Sequence, residues 1–354
     1  MATGPPDLSV LDLAIVAEGS EPADALRNSV ELVQHVERLG YTRHWVAEHH
    51  NMPGIASAAP AVLAAELAAA TSEIRVGSGG VMLPNHPPLV VAEQFGTLVG
   101  LHPGRIDLGI GRAPGTDPLT AAALRRSADP LSAEDFPQQL SELIGYFDGS
   151  YPPGPAGHSY GRITAVPGYG ARPEIWLLGS SDYSAQAAGM LGLPFSFAHH
   201  FSPRNTVPAV QLYRESFQPS EWLGEPKVMV AVAVICAEDD ERARWLAGPS
   251  RLSFARLRSG RPSKFPTPEE AAEHDFSPKE ESAVKTVSGS AVIGGPEKVA
   301  AGLEDLADRT GADELMVTTM VHAQEDRLRS YELVAEATGL AARSPATASA
   351  DPYE

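Results

Sequence analysis

The stretch Val228-Met229-Val230-Ala231-Val232-Ala233-Val234-Ile235 is apolar at every position and rich in β-branched side chains. A half-solvated antiparallel strand would alternate apolar with polar residues, whereas this run fits a parallel strand covered by helices on both faces. Working outward, short apolar runs and helical patterns keep alternating. Val10–Ala17 precedes Ala23–Leu39, Tyr41–Ala47 precedes Pro60–Thr71, and Ile74–Leu83 precedes Pro88–Leu101. Ile106–Ile110 is followed by a helical stretch around Phe136–Phe147, Ile175–Leu178 by Tyr183–Leu191, and Pro194–Ala198 by Arg204–Phe217. Met229–Cys236 leads into Asp239–Leu257, and Glu314–Thr319 into Glu325–Ala337. Eight strand–helix units in 354 residues predict a single α/β domain over 8–340, a TIM (β/α)8 barrel, with a doubly wound open sheet as the alternative.

Two stretches interrupt the alternation. Residues 149–170, after the fourth strand, are rich in Gly, Pro and Tyr and predict a hairpin around His158–Val166. Residues 260–290, before the eighth strand, are charged and too long for an ordinary connection. Barrel active sites lie at the C-terminal ends of the strands, so this second insertion is a candidate lid, a disordered surface excursion being the competing reading. The end of the chain, 341–354, reads as a disordered tail.

Composition limits the partners. With 27 basic and 45 acidic residues the formal charge is -18, which disfavours nucleic acid and anionic membrane surfaces. One local anion pocket stays possible in an acidic shell, and since only five basic residues are lysines the arginines are the side chains to inspect. The single cysteine, Cys236, sits in an apolar run and reads as a buried hydrophobe, consistent with a reducing, cytoplasmic setting. Met1–Pro6 has no signal-peptide pattern, and no apolar run reaches membrane-spanning length.

The second strand ends in Glu48-His49-His50-Asn51, placing a carboxylate, two imidazoles and an amide where a barrel performs chemistry. A satisfied structural network is the plain alternative. Zinc would call for paired histidines on the first strand, where there are none, so no metal is expected. Gly77, Gly79 and Gly80 on the third strand leave room for a flat ring, although tight strand packing would also select glycine. Gly109-Ile110-Gly111 lacks the third glycine at the spacing of a dinucleotide fingerprint; Arg112, flanked by small residues, reads as an anion clamp. Ser180, Ser181, Asp182, Tyr183 and Ser184 follow the fifth strand at a helix start, suited to phosphate binding or to capping. The sixth strand ends in Phe195–Phe201, an aromatic and imidazole edge able to flank a planar ring.

Taken in order, WVAEHHN, IRVGSGGVMLPNHPPL, AEQF, HPGRIDLGIGRAPGTD, WLLGSSDYSA and LPFSFAHHF resemble the bacterial luciferase-like flavin-dependent monooxygenases, in their single-chain branch. The resemblance runs from Leu8 to Leu340. It implies a barrel with insertions, reduced FMN supplied by a separate flavin reductase, and molecular oxygen as co-substrate, reacting through a C4a-hydroperoxyflavin. His49 matches the family's catalytic histidine and Glu48 its neighbour at the flavin site. Gly79 and Gly80 match the pair that often forms a non-proline cis peptide under the flavin ring. Arg112 and Ser180 match the phosphate ligands, with Tyr183 and Ser184 beside them, and His199 falls where the luciferases carry an aromatic against the flavin. Gly111 stands where luciferase has a reactive cysteine, which points away from light emission. A homodimer and a small organic substrate, such as a natural-product intermediate of secondary metabolism, follow by analogy. The alternatives are a deazaflavin (F420)-dependent hydride transfer, a non-catalytic flavin-binding protein and, more remotely, a metal-dependent hydrolase.

Overall fold

A computed structural model describes residues 6–125, 134–150 and 162–341. Its strands are β1 (Asp7–Asp12), β2 (Arg43–Val46), β3 (Arg75–Met82), β4 (Ile106–Gly111), β5 (Glu174–Gly179), β6 (Phe195–Ala198), β7 (Val228–Cys236), β8 (Val292–Gly294) and β9 (Glu314–Thr318). All neighbours pair in parallel, and the sheet closes because β1 pairs with both β2 and β9 while β7 pairs with both β6 and β9. Eight strands therefore form the ring of a TIM-like barrel, and β8 lies outside it on the C-terminal half of β7, with Val234 opposite Val292.

Alternation along each strand separates two cores. Val10, Val46, Val76, Leu108 and Val230 face outward into the main hydrophobic core under the helices. Leu11, Trp45, Trp176, Met229, Ala231 and Met316 fill the ring, where the two indoles meet edge to face at 5.6 Å. Below them is an ion cluster. Arg43 bonds Glu314 (2.7 Å) and Asp107 (2.8 Å), Lys227 bonds Glu174 (2.6 Å), and Arg75 also pairs with Asp107. Three cations meet three carboxylates, so the charges balance, with Arg43, Asp107 and Glu314 buried and Arg75, Glu174 and Lys227 partly exposed.

The helices form for local reasons that the sequence carries. In Pro22–Leu39, Pro22 opens the first turn, Asp24 accepts from the Glu21 N–H (2.8 Å), and Ala25, Leu32, Val33 and Val36 form the buried stripe. The chain then leaves through Gly40 in the left-handed region (φ 93°).

The first strand corrects the sequence reading. It spans Asp7–Asp12, not Val10–Ala17. Leu13–Ala17 stays apolar because it is a buried loop: Ile15 bridges Ile55, and Val16 exchanges backbone hydrogen bonds with Gly54 and Phe265. The insertion at 260–290 is folded, so the disordered reading falls. It carries the helices Pro268–Glu273 and Pro278–Ser288, and buried Phe265 ties it to the loop after β1 at the C-terminal end of the barrel. The expected hairpin at His158–Val166 falls partly on 151–161, and the tail lies largely beyond Ala341; both stretches are outside the described residues. No helix of the described chain is long and apolar enough to cross a membrane.

Candidate active site

Where β2 ends, Glu48 turns into a fully buried pocket between the ends of β3 and β4. It accepts from the Met82 N–H (3.0 Å), Asn85 Nδ2 (3.2 Å), His86 Nε2 (2.9 Å) and His50 Nε2 (2.9 Å). Burial raises its pKa, but the bonds from His50 and His86 outweigh that and hold the carboxyl at about 2. Its acceptor sites are taken up by these donors, which tie together the chain after β2 and the end of β3. His86 and Asn85, which complete this network, were not singled out by the sequence reading.

His49 is the chemically available member of the pair. Its backbone N–H donates to Ser57 O (3.0 Å), and its Nδ1 lies 3.2 Å from Gly115 O. A carbonyl can only accept, so Nδ1 carries the proton and Nε2 the lone pair of the neutral ring. Burial lowers its pKa below the usual imidazole value, against smaller opposing effects of Gly115 O and Glu48, which favours that neutral form at pH 7. Gly115 is suited to the role because its φ is 65° and a Cβ there would lie 2.8 Å from Glu48 O.

The Gly79–Gly80 peptide is cis, matching the geometry that the resemblance implies for this pair. Packing also selects these glycines: a Cβ on Gly79 would meet Leu11 Cδ1 at 2.7 Å, and one on Gly80 would meet Gly109 O at 2.6 Å. Gly77 is pressed in the same way against Asp107. Strand packing thus accounts for all three, and the glycines alone do not specify a ring. What they do is bring the backbone of β3 against Leu11 and Trp45, the upper layer of the barrel interior.

Arg112, just past β4, stacks on Tyr183 with its guanidinium carbon 4.2 Å from the ring centroid. Tyr183 belongs to the first turn of the helix Asp182–Leu191, whose N-cap Ser181 makes no side-chain capping bond. The start of this helix therefore keeps donor N–H groups for an anion beside an arginine without a carboxylate partner among the described residues. Ser180 is exposed at this terminus. Ser184 is buried, its side chain lodged where a Cβ on Gly179 would be, so it packs beneath the loop.

His199 lies in the turn after β6. Its Nδ1 lies 2.7 Å from Thr206 Oγ1, and the ring lines a cavity outside the barrel, against the helix Pro296–Thr310. The strand ends at Ala198, and the turn that follows, with Phe201 N–H donating to Ala198 O (3.1 Å), carries His199 to that side. Its neighbour His200 is held against β7, Nδ1 donating to Ala231 O (3.0 Å), and burial drops its pKa to about 4.

The barrel with these strand-end groups has known relatives. A family model described as luciferase-like monooxygenase matches residues 8–314, and the chain belongs to that family. It is 46% identical over 325 residues to a luciferase-like monooxygenase of Escherichia coli K12, covering 92% of this chain and 95% of the relative. It is 33% identical over 338 residues to the N-acetyl-S-alkylcysteine monooxygenase of Bacillus subtilis, covering 95% and 99%. The crystal structure of apo-MsnO8 superposes with a TM-score of 0.86 at 41% identity, covering 96% of this chain and 100% of the other. More distant structures share the fold. They include the oxygenating constituent of 3,6-diketocamphane monooxygenase from Pseudomonas putida in complex with FMN (19% identity, TM-score 0.69, covering 96% and 100%). An F420-dependent secondary alcohol dehydrogenase is another (16%, TM-score 0.67, covering 94% and 99%).

Proposed function

We propose that the protein is a monooxygenase that takes reduced FMN from a separate reductase and uses molecular oxygen to oxygenate a small organic substrate. The observation that carries this reading is the pairing of Arg112 with the uncapped helix start at Ser181, a cradle for one phosphate in a protein of charge -18. When bound, reduced FMN supplies the two electrons with which oxygen is activated. The chain's own residues do the rest. Arg112 and the N–H groups after Ser181 anchor the phosphate, with Ser180 beside them, and the β3 backbone at Gly79–Gly80 supports the ring. His49, neutral and with Nε2 as the basic atom, exchanges a proton with the oxygen species or the substrate. Phe265 and the segment around it limit water at the C-terminal face.

The test is His49→Ala, assayed with reduced FMN, oxygen and a panel of thioether, ketone and aldehyde substrates. We expect flavin binding to persist and product formation to fall by about 10²-fold or more. Unchanged turnover would remove His49 from the mechanism. Oxygen-independent hydride transfer with a deazaflavin, together with no oxygen uptake with reduced FMN, would overturn the monooxygenase reading.

A further inference from the structure

A cavity of about 700 Å³ lies on the flank of the barrel. Its walls are the turn 199–204 after β6, the segment 289–292 leading into β8, and one face of the helix Pro296–Thr310. We propose that this cavity is a second ligand site, separate from the flavin site, for a small organic anion bearing phosphate or carboxylate groups.

Its size is that of a pocket for a metabolite-sized molecule, well beyond a few waters. The charge is the reverse of the molecule's: among the described residues, Arg204, Lys285 and Arg309 line it against a single carboxylate, Asp305. Asp305 is already paired with Arg309 (3.1 Å), whereas Arg204 and Lys285 have no ion-pair partner among the described residues. Unpaired cations in a concave site of an acidic protein attract anions that the surrounding surface repels.

His199 supplies a second, independent sign. Only 7% of it is exposed, and what is exposed lines the cavity. Its Nδ1 is taken up by the Thr206 hydroxyl (2.7 Å), and Nε2 has no protein partner among the described residues. Burial and the nearby Arg309 lower the pKa of this ring, so it is neutral in the empty site. An anion between Arg204, Lys285 and Arg309 would offset the effect of Arg309 and raise the pKa of the ring. Arg112, Ser180 and Tyr183 do not line this cavity, so the flavin phosphate and the second anion need not compete.

The experiment uses the full chain saturated with FMN. Pyrophosphate and citrate are titrated separately, one probe for phosphate and one for carboxylate. Binding is followed by calorimetry and by NMR of labelled histidine, with the His199 signal assigned through His199→Gln. We expect at least one probe to saturate without displacing FMN and to raise the His199 pKa by about one unit. Joint replacement of the exposed side chains, Arg204→Gln with Lys285→Gln, should weaken that binding about tenfold or more. Three results would overturn the proposal: no saturation by either probe at millimolar concentration, binding unaffected by the double substitution, or displacement of FMN by the probe, which would place the anion at Arg112.

Discussion

Four donors converge on Glu48, two of them imidazoles, and this sets its behaviour with pH. Its carboxyl sits at about 2 when folded, against an ordinary value of 4.5. A depressed carboxylate stabilises the fold above its unfolded pKa, and that contribution is lost as pH falls through the folded value. Glu48→Gln should therefore cost about 1–3 kcal/mol at neutral pH by leaving buried donors poorly matched. The deficit relative to wild type should shrink between pH 4.5 and about 2, as denaturation curves across that window would show. Arg112→Ala belongs to the same scale: FMN should bind about 10- to 100-fold more weakly in a fluorescence titration, with an unchanged melting temperature. A titration matching wild type would exclude the arginine from the phosphate site. These residues were legible to different degrees. Glu48 and His49 stand out as polar groups at the end of an apolar strand, but His86 enters the network from 38 residues away, and a linear reading cannot make that contact. The direction of His199 is not legible, because two adjacent histidines offer no sign, before folding, of which one turns outward.

Among elements, the strand pattern carried the barrel because parallel strands buried on both sides are apolar throughout, and β7 shows this over Val228–Cys236. The same rule produced the error at β1. Leu13–Ala17 is as apolar as a strand, yet it is buried by Ile55 and Phe265, which lie far off in the chain. The insertion 260–290 likewise reads as solvent-loving sequence, since its apolar anchors are few and scattered: Phe265 (2% exposed), Ala271 and Val284. The Phe265 anchor can be tested. Phe265→Ala removes a side chain of the kind whose loss costs about 3–5 kcal/mol in a core. With that contact removed, we expect faster hydrogen exchange in 13–18 and 260–270 and more hydrogen peroxide released per oxygen consumed. Tight coupling in the variant would show that water exclusion does not depend on this segment.

For the whole molecule, charge and closure are the two properties that matter. At -18 the protein would repel the phosphate of the proposed FMN at long range, while Arg112 would attract it only nearby. Raising ionic strength from about 0.01 M to about 0.15 M shortens the screening length from about 30 Å to about 8 Å. The FMN association rate should therefore rise, by about two- to tenfold in stopped-flow fluorescence. A fall would mean that the local cation already dominates at range. The ring closure has a different consequence. With β1 joined to β9, every barrel strand has a neighbour on each side, and among the described residues only β8 keeps an unpaired edge. That edge is three residues long. A misfolding neighbour or a growing fibril thus finds almost no template on the native molecule, and aggregation has to begin from chains in which the ring has not yet closed or has reopened.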